Sequence, residues 1–268
     1  MNMEFKTEIT LGSLFSGIGG LEIGLEKSIP NLNIKWQIEI DEHATAVLEK
    51  HWPNVKRFKD VSKIQSKELE KVDIICGGFP CTQISKASGK PEGLSGKDSG
   101  LWFEMLRIIR EIRPKIIIIE NVPDWSFHGL SKCLSSLAEM RYDAEWRNIS
   151  CDSTGLPQER ERIFVVAYPH GEGPLAIFGS HKNLDTFIQE TKNIRKDLAQ
   201  YRSSWKQVDW HEAQIFNKAD ASELLGDDYG IYKRPHQERL KMIGNAVSPR
   251  VSYIIGEKIY NWIKSYSS

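Results

Sequence analysis

The 268 residues suffice for one large α/β core, with or without a small appendage, and are too few for several independent large domains. Lys plus Arg and Asp plus Glu stand at 36 each, so no global basic field announces a polyanionic partner and any such site must be local. The four cysteines, Cys76, Cys81, Cys133 and Cys151, form no CxxC pair and no zinc-like spacing with histidine, so no metal site is expected. No secretory leader is evident and the longest aliphatic run, residues 116–119, is too short to span a bilayer, which points to a reducing, cytoplasmic setting without membrane contact.

In chain order, an apolar stretch over 9–15 leads into Ser16-Gly17-Ile18-Gly19-Gly20, after which Leu21, Ile23 and Leu25 continue as a helix. Residues 34–40 read as a second strand ending in Glu39-Ile40-Asp41, followed by a helix through Ala44, Val47 and Leu48 that stops near Pro53. Residues 72–76 form a buried strand, 101–112 an amphipathic helix ended by Pro114, and 115–119 another strand running into Glu120-Asn121-Val122. A helix over 130–140, an extended segment over 147–150 and a strand over 163–167 follow. The alternation predicts a Rossmann-like, doubly wound, mainly parallel sheet. From residue 170 turn residues, mixed charge and aromatics dominate, so the expected division is 1–169 as the main α/β domain, 170–238 as a small insertion and 239–268 as a segment returning to that domain. Its helix, over 251–263, offers Val251, Ile254, Ile255, Ile259 and Ile263 to the sheet.

Four clusters carry candidate chemistry. Gly77-Gly78-Phe79-Pro80-Cys81 places a cysteine after a buried strand on a stem that Pro80 stiffens, at the head of a Gly, Ser and Lys-rich loop over 81–100 suited to a lid. A lone cysteine is more often a small buried hydrophobe. The glycine turn by itself is weak, but Glu39, about twenty residues on at the end of the second strand, is placed to accept from ribose hydroxyls, and no Walker lysine follows. Glu120 ends a strand of four isoleucines, where burial would keep a carboxylic acid neutral and able to donate, although an ion-paired or capping Glu is the bland alternative. In Gln158-Glu159-Arg160-Glu161-Arg162, strand alternation sets Gln158, Arg160 and Arg162 on one face, suited to phosphates or a carbonyl oxygen; an ordinary charged edge strand would look the same.

These clusters, in this order, resemble the DNA cytosine-5 methyltransferase family. The likeness runs through nearly the whole chain: Ser13-Leu14-Phe15-Ser16-Gly17-Ile18-Gly19-Gly20 is similar to the family's cofactor turn and Gly77 to Cys81 to its nucleophile segment. Glu120-Asn121-Val122, the QxRxR pattern over 158–162 and Gly244-Asn245-Ala246-Val247-Ser248-Pro249 follow in the family's order. The resemblance implies a class I S-adenosylmethionine-dependent fold and methyl transfer to C5 of a cytosine in a specific sequence of double-stranded DNA. Cys81 would add to C6 of a flipped-out base, Glu120 would contact N3, Arg162 would contact O2 and Arg160 would assist. It assigns Phe15, Ser16, Gly17, Gly19, Gly20, Glu39, Ile40, Asp60, Val61, Pro80 and Leu101 to S-adenosylmethionine, and Ser85, Lys86, Ser88, Lys90 and Gln158 to DNA. It implies a monomer, the modification partner of a separately acting restriction endonuclease or an unpaired enzyme.

Two departures stand out. Ser13 occupies the place of the usual Asp heading the glycine turn, and Thr82 that of the usual Gln after the nucleophile. About seventy residues remain for target recognition. A catalytically idle DNA- or cofactor-binding relative and an RNA cytosine-5 methyltransferase are the alternative readings.

Overall fold

A computed structural model describes residues 8–80, 99–125, 129–154, 160–173, 177–178, 242 and 244–266. Its centre is a seven-stranded sheet of β1 (Ile9–Leu14), β2 (Leu32–Ile38), β3 (Lys56–Phe58), β4 (Ile74–Gly77), β5 (Ile116–Asn121), β6 (Tyr142–Ser150) and β7 (Glu161–Pro169), in the order β3-β2-β1-β4-β5-β7-β6. β1 is parallel to β2 and β4, β2 to β3 and β4 to β5, whereas β7 is antiparallel to both β5 and β6. Among the described residues there are five α-helices, α1 (Gly20–Ser28), α2 (Glu42–His51), α3 (Ser99–Ile112), α4 (Leu130–Glu139) and α5 (Pro249–Tyr266).

The sheet is covered on both faces, as near-continuous apolar strands require. Side chains alternate along each strand: Ile116, Ile118, Phe164 and Val166 enter one core with α1, α2 and α5, while Ile117, Ile119, Ile163 and Val165 enter the other with α3 and α4. The expected apolar stripe of the last helix is buried in full, and Trp262 joins it. α5 lies so close to α1 that a Cβ on Gly20 would stand 2.2 Å from the Val247 carbonyl oxygen, and one on Gly24 2.1 Å from the Ser252 hydroxyl. No side chain larger than hydrogen fits there without moving one helix.

Chain direction explains why the chemistry gathers on one edge. β1 sits between strands reached in opposite winding directions, so β1 and β4 flank the switch point, where open α/β sheets bind ligands beyond their carboxyl ends. The glycine turn after β1, Glu39 after β2, the stem after β4 and Glu120 at the end of β5 all reach that edge. Because β7 runs the other way, it is its beginning, with Arg160 and Arg162, that arrives there. Two elements differ from the sequence reading: β3 is an additional three-residue edge strand, and β6 begins at Tyr142 rather than near 147. None of the described helices is long and apolar enough to cross a membrane.

Candidate active site

The site has two halves. On the first, β1 ends and the chain enters the turn through three left-handed residues, Phe15 (φ 54°), Gly17 (φ 55°) and Gly19 (φ 87°). For Phe15 this conformation costs roughly 1–2 kcal/mol and must be held by its surroundings. Ser16 N–H donates to the Ile38 carbonyl at 3.1 Å, Gly19 N–H to the Ser16 carbonyl at 2.9 Å, and the Ser16 hydroxyl to Ser13 Oγ at 2.9 Å. Glu39 closes the arrangement from β2: Oε2 accepts from Gly17 N–H at 2.7 Å and Oε1 from Asp41 N–H at 2.8 Å. Burial pushes the Glu39 carboxyl above its ordinary pKa, and the two backbone donors oppose that. Asp41 then caps α2, accepting from the N–H groups of His43 and Ala44.

Beside this carboxylate Ile40 stands 62% exposed, a large apolar side chain presented at the ligand edge. A diol acceptor next to an apolar face fits the nucleoside part of S-adenosylmethionine. A Cβ at Gly17 would meet nothing within 4 Å, so the turn is open above for the rest of that molecule. Asp60 is engaged as a cap, its Oδ1 accepting from Ser62 N–H and the Ser62 hydroxyl at 3.0 and 2.7 Å, while Val61 behind it is buried. Leu101 and Phe15 are partly buried against the core on the α3 face.

On the second half, Glu120 is buried at 7% exposure and its Oε1 lies 3.0 Å from Nε of Arg162. Desolvation raises the Glu120 pKa, and the guanidiniums of Arg162 and Arg160 pull against it without reversing the direction. The strand before Cys81 is fitted to this carboxyl: a Cβ on Gly78 would stand 2.6 Å from Glu120 Oε2. Asn121 ties the stem to β5, with Nδ2 donating to the Phe79 carbonyl at 3.3 Å and Oδ1 accepting from Val122 N–H. The Phe79 ring packs between Trp102 and Trp125 at 5.7 and 5.5 Å. Pro80 is exposed at the end of this stem.

Arg160 reaches a different partner. Its Nη2 donates to the carbonyls of Gly244 and Ala246 at 3.0 and 2.7 Å, joining the start of β7 to the segment before α5. Burial and the neighbouring Arg162 charge lower its pKa to about 10. Cys81, Ser85, Lys86, Ser88, Lys90, Gln158 and nearly all of the 170–238 insertion lie outside the described residues. The sequence reading gives Gly78 a close backbone approach and Asn121 a place in the Glu120-Asn121-Val122 motif, without naming a partner for either, and passes over Glu22. The proximity of Gly78 to Glu120 has no signature in a strand pattern, and Glu22 reads as an ordinary polar helix residue.

A family model for C-5 cytosine-specific DNA methylase matches residues 9–223. The chain belongs to that family. Methylases of this kind take their methyl group from S-adenosylmethionine and act on cytosine in DNA. Among curated relatives, the type II methyltransferase M2.BsuMI of Bacillus subtilis is 31% identical over 92% of this chain and 74% of its own length. M1.ScrFI of Lactococcus lactis is 34% identical and M.HhaI of Haemophilus parahaemolyticus 31%, each over 58% of this chain and over 40% and 47% of their own lengths. The methylase thus aligns with less than half of these two relatives. Among solved structures, Entamoeba histolytica EhMeth superposes with a TM-score of 0.65 at 17% identity over 96% of this chain and 99% of that one. An Escherichia coli prophage putative DNA modification methyltransferase gives 0.62 at 17% over 96% and 100%. These two establish the fold, a class I methyltransferase sheet.

Proposed function

We propose that this methylase modifies C5 of cytosine within a specific double-stranded DNA sequence, rotating the base out of the helix and holding it through a covalent bond between Cys81 Sγ and C6. The observation that carries the reading is the buried Glu120–Arg162 pair, packed against the glycine of the stem that leads to Cys81. A cytosine ring needs a donor at N3 and a cation at O2 if it is to accept a nucleophile at C6. A buried acid of raised pKa beside a guanidinium supplies both on adjoining atoms.

The steps balance as follows. The Cys81 thiolate bonds to C6, and the electron pair of the C5–C6 double bond moves into the ring, stabilised by the proton of Glu120 and the charge of Arg162. This makes C5 the nucleophile. S-adenosylmethionine, when bound, would supply an electrophilic methyl group on sulfonium, the S–CH3 bond breaking as the C5–CH3 bond forms and the electron pair leaving on the sulfur of S-adenosylhomocysteine; Ile40, Glu39 and the Phe15 to Gly20 turn are the residues that would hold it. Once C5 carries the methyl, a base removes the C5 proton and the pair left behind expels Cys81 as thiolate. Arg160, anchored on Gly244 and Ala246, supports Arg162 by fixing the start of β7. Flipping costs a few kcal/mol of lost stacking, offset by pocket and phosphate contacts, for which Ser85, Lys86, Ser88, Lys90 and Gln158 are the proposed donors. Residues 170–238 are proposed to read the target, and the enzyme to work as a cytoplasmic monomer alongside a separate restriction endonuclease.

Trapping tests the reading. The protein is incubated with S-adenosylmethionine and duplexes bearing 5-fluorocytosine in many sequence contexts, with transfer RNA as a parallel substrate. A denaturant-stable adduct attached through Cys81 in one DNA context is the expected outcome. An adduct on RNA alone, or attachment through another residue, would sink the proposal.

A further inference from the structure

Beneath the glycine turn the core holds an acid that the reaction does not use. Glu22, in the first turn of α1, has no exposure, and neither carboxyl oxygen makes a hydrogen bond of good geometry to any described residue. The sheet register sets Gln37, Ser13 and Cys76 side by side on β2, β1 and β4, all three fully buried. The Gln37 amide also makes no hydrogen bond of good geometry among the described residues. Ser13, Ser16 and Gln37 lie close enough to Glu22 to favour its ionised form, but burial outweighs them and raises its pKa. A protein that leaves four polar atoms this way forgoes stability that an apolar residue would supply.

The turn lies directly above this polar row. Ser16 Oγ donates to Ser13 Oγ, and that bond brackets the left-handed Phe15. Glu22, from the helix that follows, sets a carboxyl close to both serines. We propose that Glu22 is a positioning residue for the cofactor turn: acting through Ser13 and Ser16, it keeps the 15–20 backbone in the shape that receives the methionine end of S-adenosylmethionine. The proposal rests on the functional reading above for the identity of the ligand, and on the polar row itself for the residue.

Two near-isosteric variants of the full chain test it. Glu22→Met removes the polar head, and Glu22→Gln keeps a neutral group that can donate and accept. Calorimetric binding of S-adenosylmethionine without DNA is measured beside thermal melting and amide hydrogen exchange of residues 15–20. Glu22→Met should melt higher than the wild type yet bind about 10-fold more weakly, with faster exchange in the turn, while Glu22→Gln stays within about 3-fold of wild-type affinity. Unchanged affinity and exchange in Glu22→Met, or a loss matched by a lower melting temperature, would overturn the proposal. Should the wild type bind no S-adenosylmethionine, the functional reading fails, and the exchange comparison still decides whether Glu22 holds the turn.

Discussion

The two halves of the active edge hold their carboxyl groups by different means. Glu39, on the side proposed for the cofactor, is fixed by two backbone N–H groups from segments that are themselves capped and turned. Glu120, on the side proposed for the base, is fixed by a guanidinium on a neighbouring strand and by a glycine that leaves it room. Backbone donors give a rigid receptor whose shape exists before any ligand arrives. An acid of raised pKa beside a guanidinium gives an electrostatic site that can redistribute charge as a reaction proceeds. Binding losses are expected from damage to the first half, and losses in the chemical step from damage to the second.

The sharpest break in that contrast comes from Cys81→Ala, which should lower methyl transfer by about a thousandfold or more while leaving S-adenosylmethionine affinity intact. Parallel turnover and calorimetric measurements check it, and near-normal turnover would end the covalent mechanism. Glu120→Gln should slow single turnover by about 100-fold at unchanged DNA affinity. Its pH profile is also informative. Wild-type Glu120 loses its donated proton as pH rises through its raised pKa, so that contribution to rate falls on the alkaline side; the amide of Glu120→Gln keeps its protons and should show no such fall.

Gly78→Ala tests whether the fit between stem and acid matters. The new methyl would crowd Glu120 Oε2, and a reduction of kcat by about 10-fold or more with little change in cofactor affinity is expected from the displaced groups. Glu39→Gln should do the reverse, weakening S-adenosylmethionine binding by about 10-fold while kcat at saturation is retained. A fall in kcat alone would erase the division between the halves.

The smallest effect concerns stability. Glu22 has a folded pKa above its ordinary 4.5, so the folded state holds this proton more tightly than the unfolded chain. That favour is complete below the ordinary value and is lost as pH rises through the raised one. Denaturant titrations should therefore show Glu22→Met gaining on the wild type as pH climbs from about 4 towards neutrality. An unchanged difference across that range would mean that Glu22 does not titrate as its burial dictates.

What the sequence disclosed follows from where periodicity is physically enforced. β4, β5 and the middle of β7 carry isoleucine and valine buried on both faces and read plainly as apolar runs, and α5 keeps its stripe because one side packs on the sheet. β3 carries only Lys56, Arg57 and Phe58 at an edge, with no room for a pattern. β6, also an edge, hides its first half because Asp143 and Glu145 bond elsewhere: Asp143 to His170 and Gly171, Glu145 to Tyr168, Ile177 and Phe178. The reversed direction of β7 could not be inferred, since alternation is the same in either sense. In the site, Glu39 and Glu120 were legible as carboxyls at strand ends, whereas Glu22 was not. Its signal would have been that α1 is buried nearly all round, which leaves no solvated face for an acid to occupy.

The contact between α1 and α5 also sets a timetable. The Ser252 hydroxyl donates to the Gly20 carbonyl across 232 residues of chain. The cofactor turn thus acquires its backing only after ribosomal synthesis has passed that serine, on the order of 10 to 50 s after Gly20 is made at ~5–20 residues per second. Until then a nascent chain carries Cys81 without the braced turn, and the hold proposed for the methyl donor is incomplete while the ribosome is still translating.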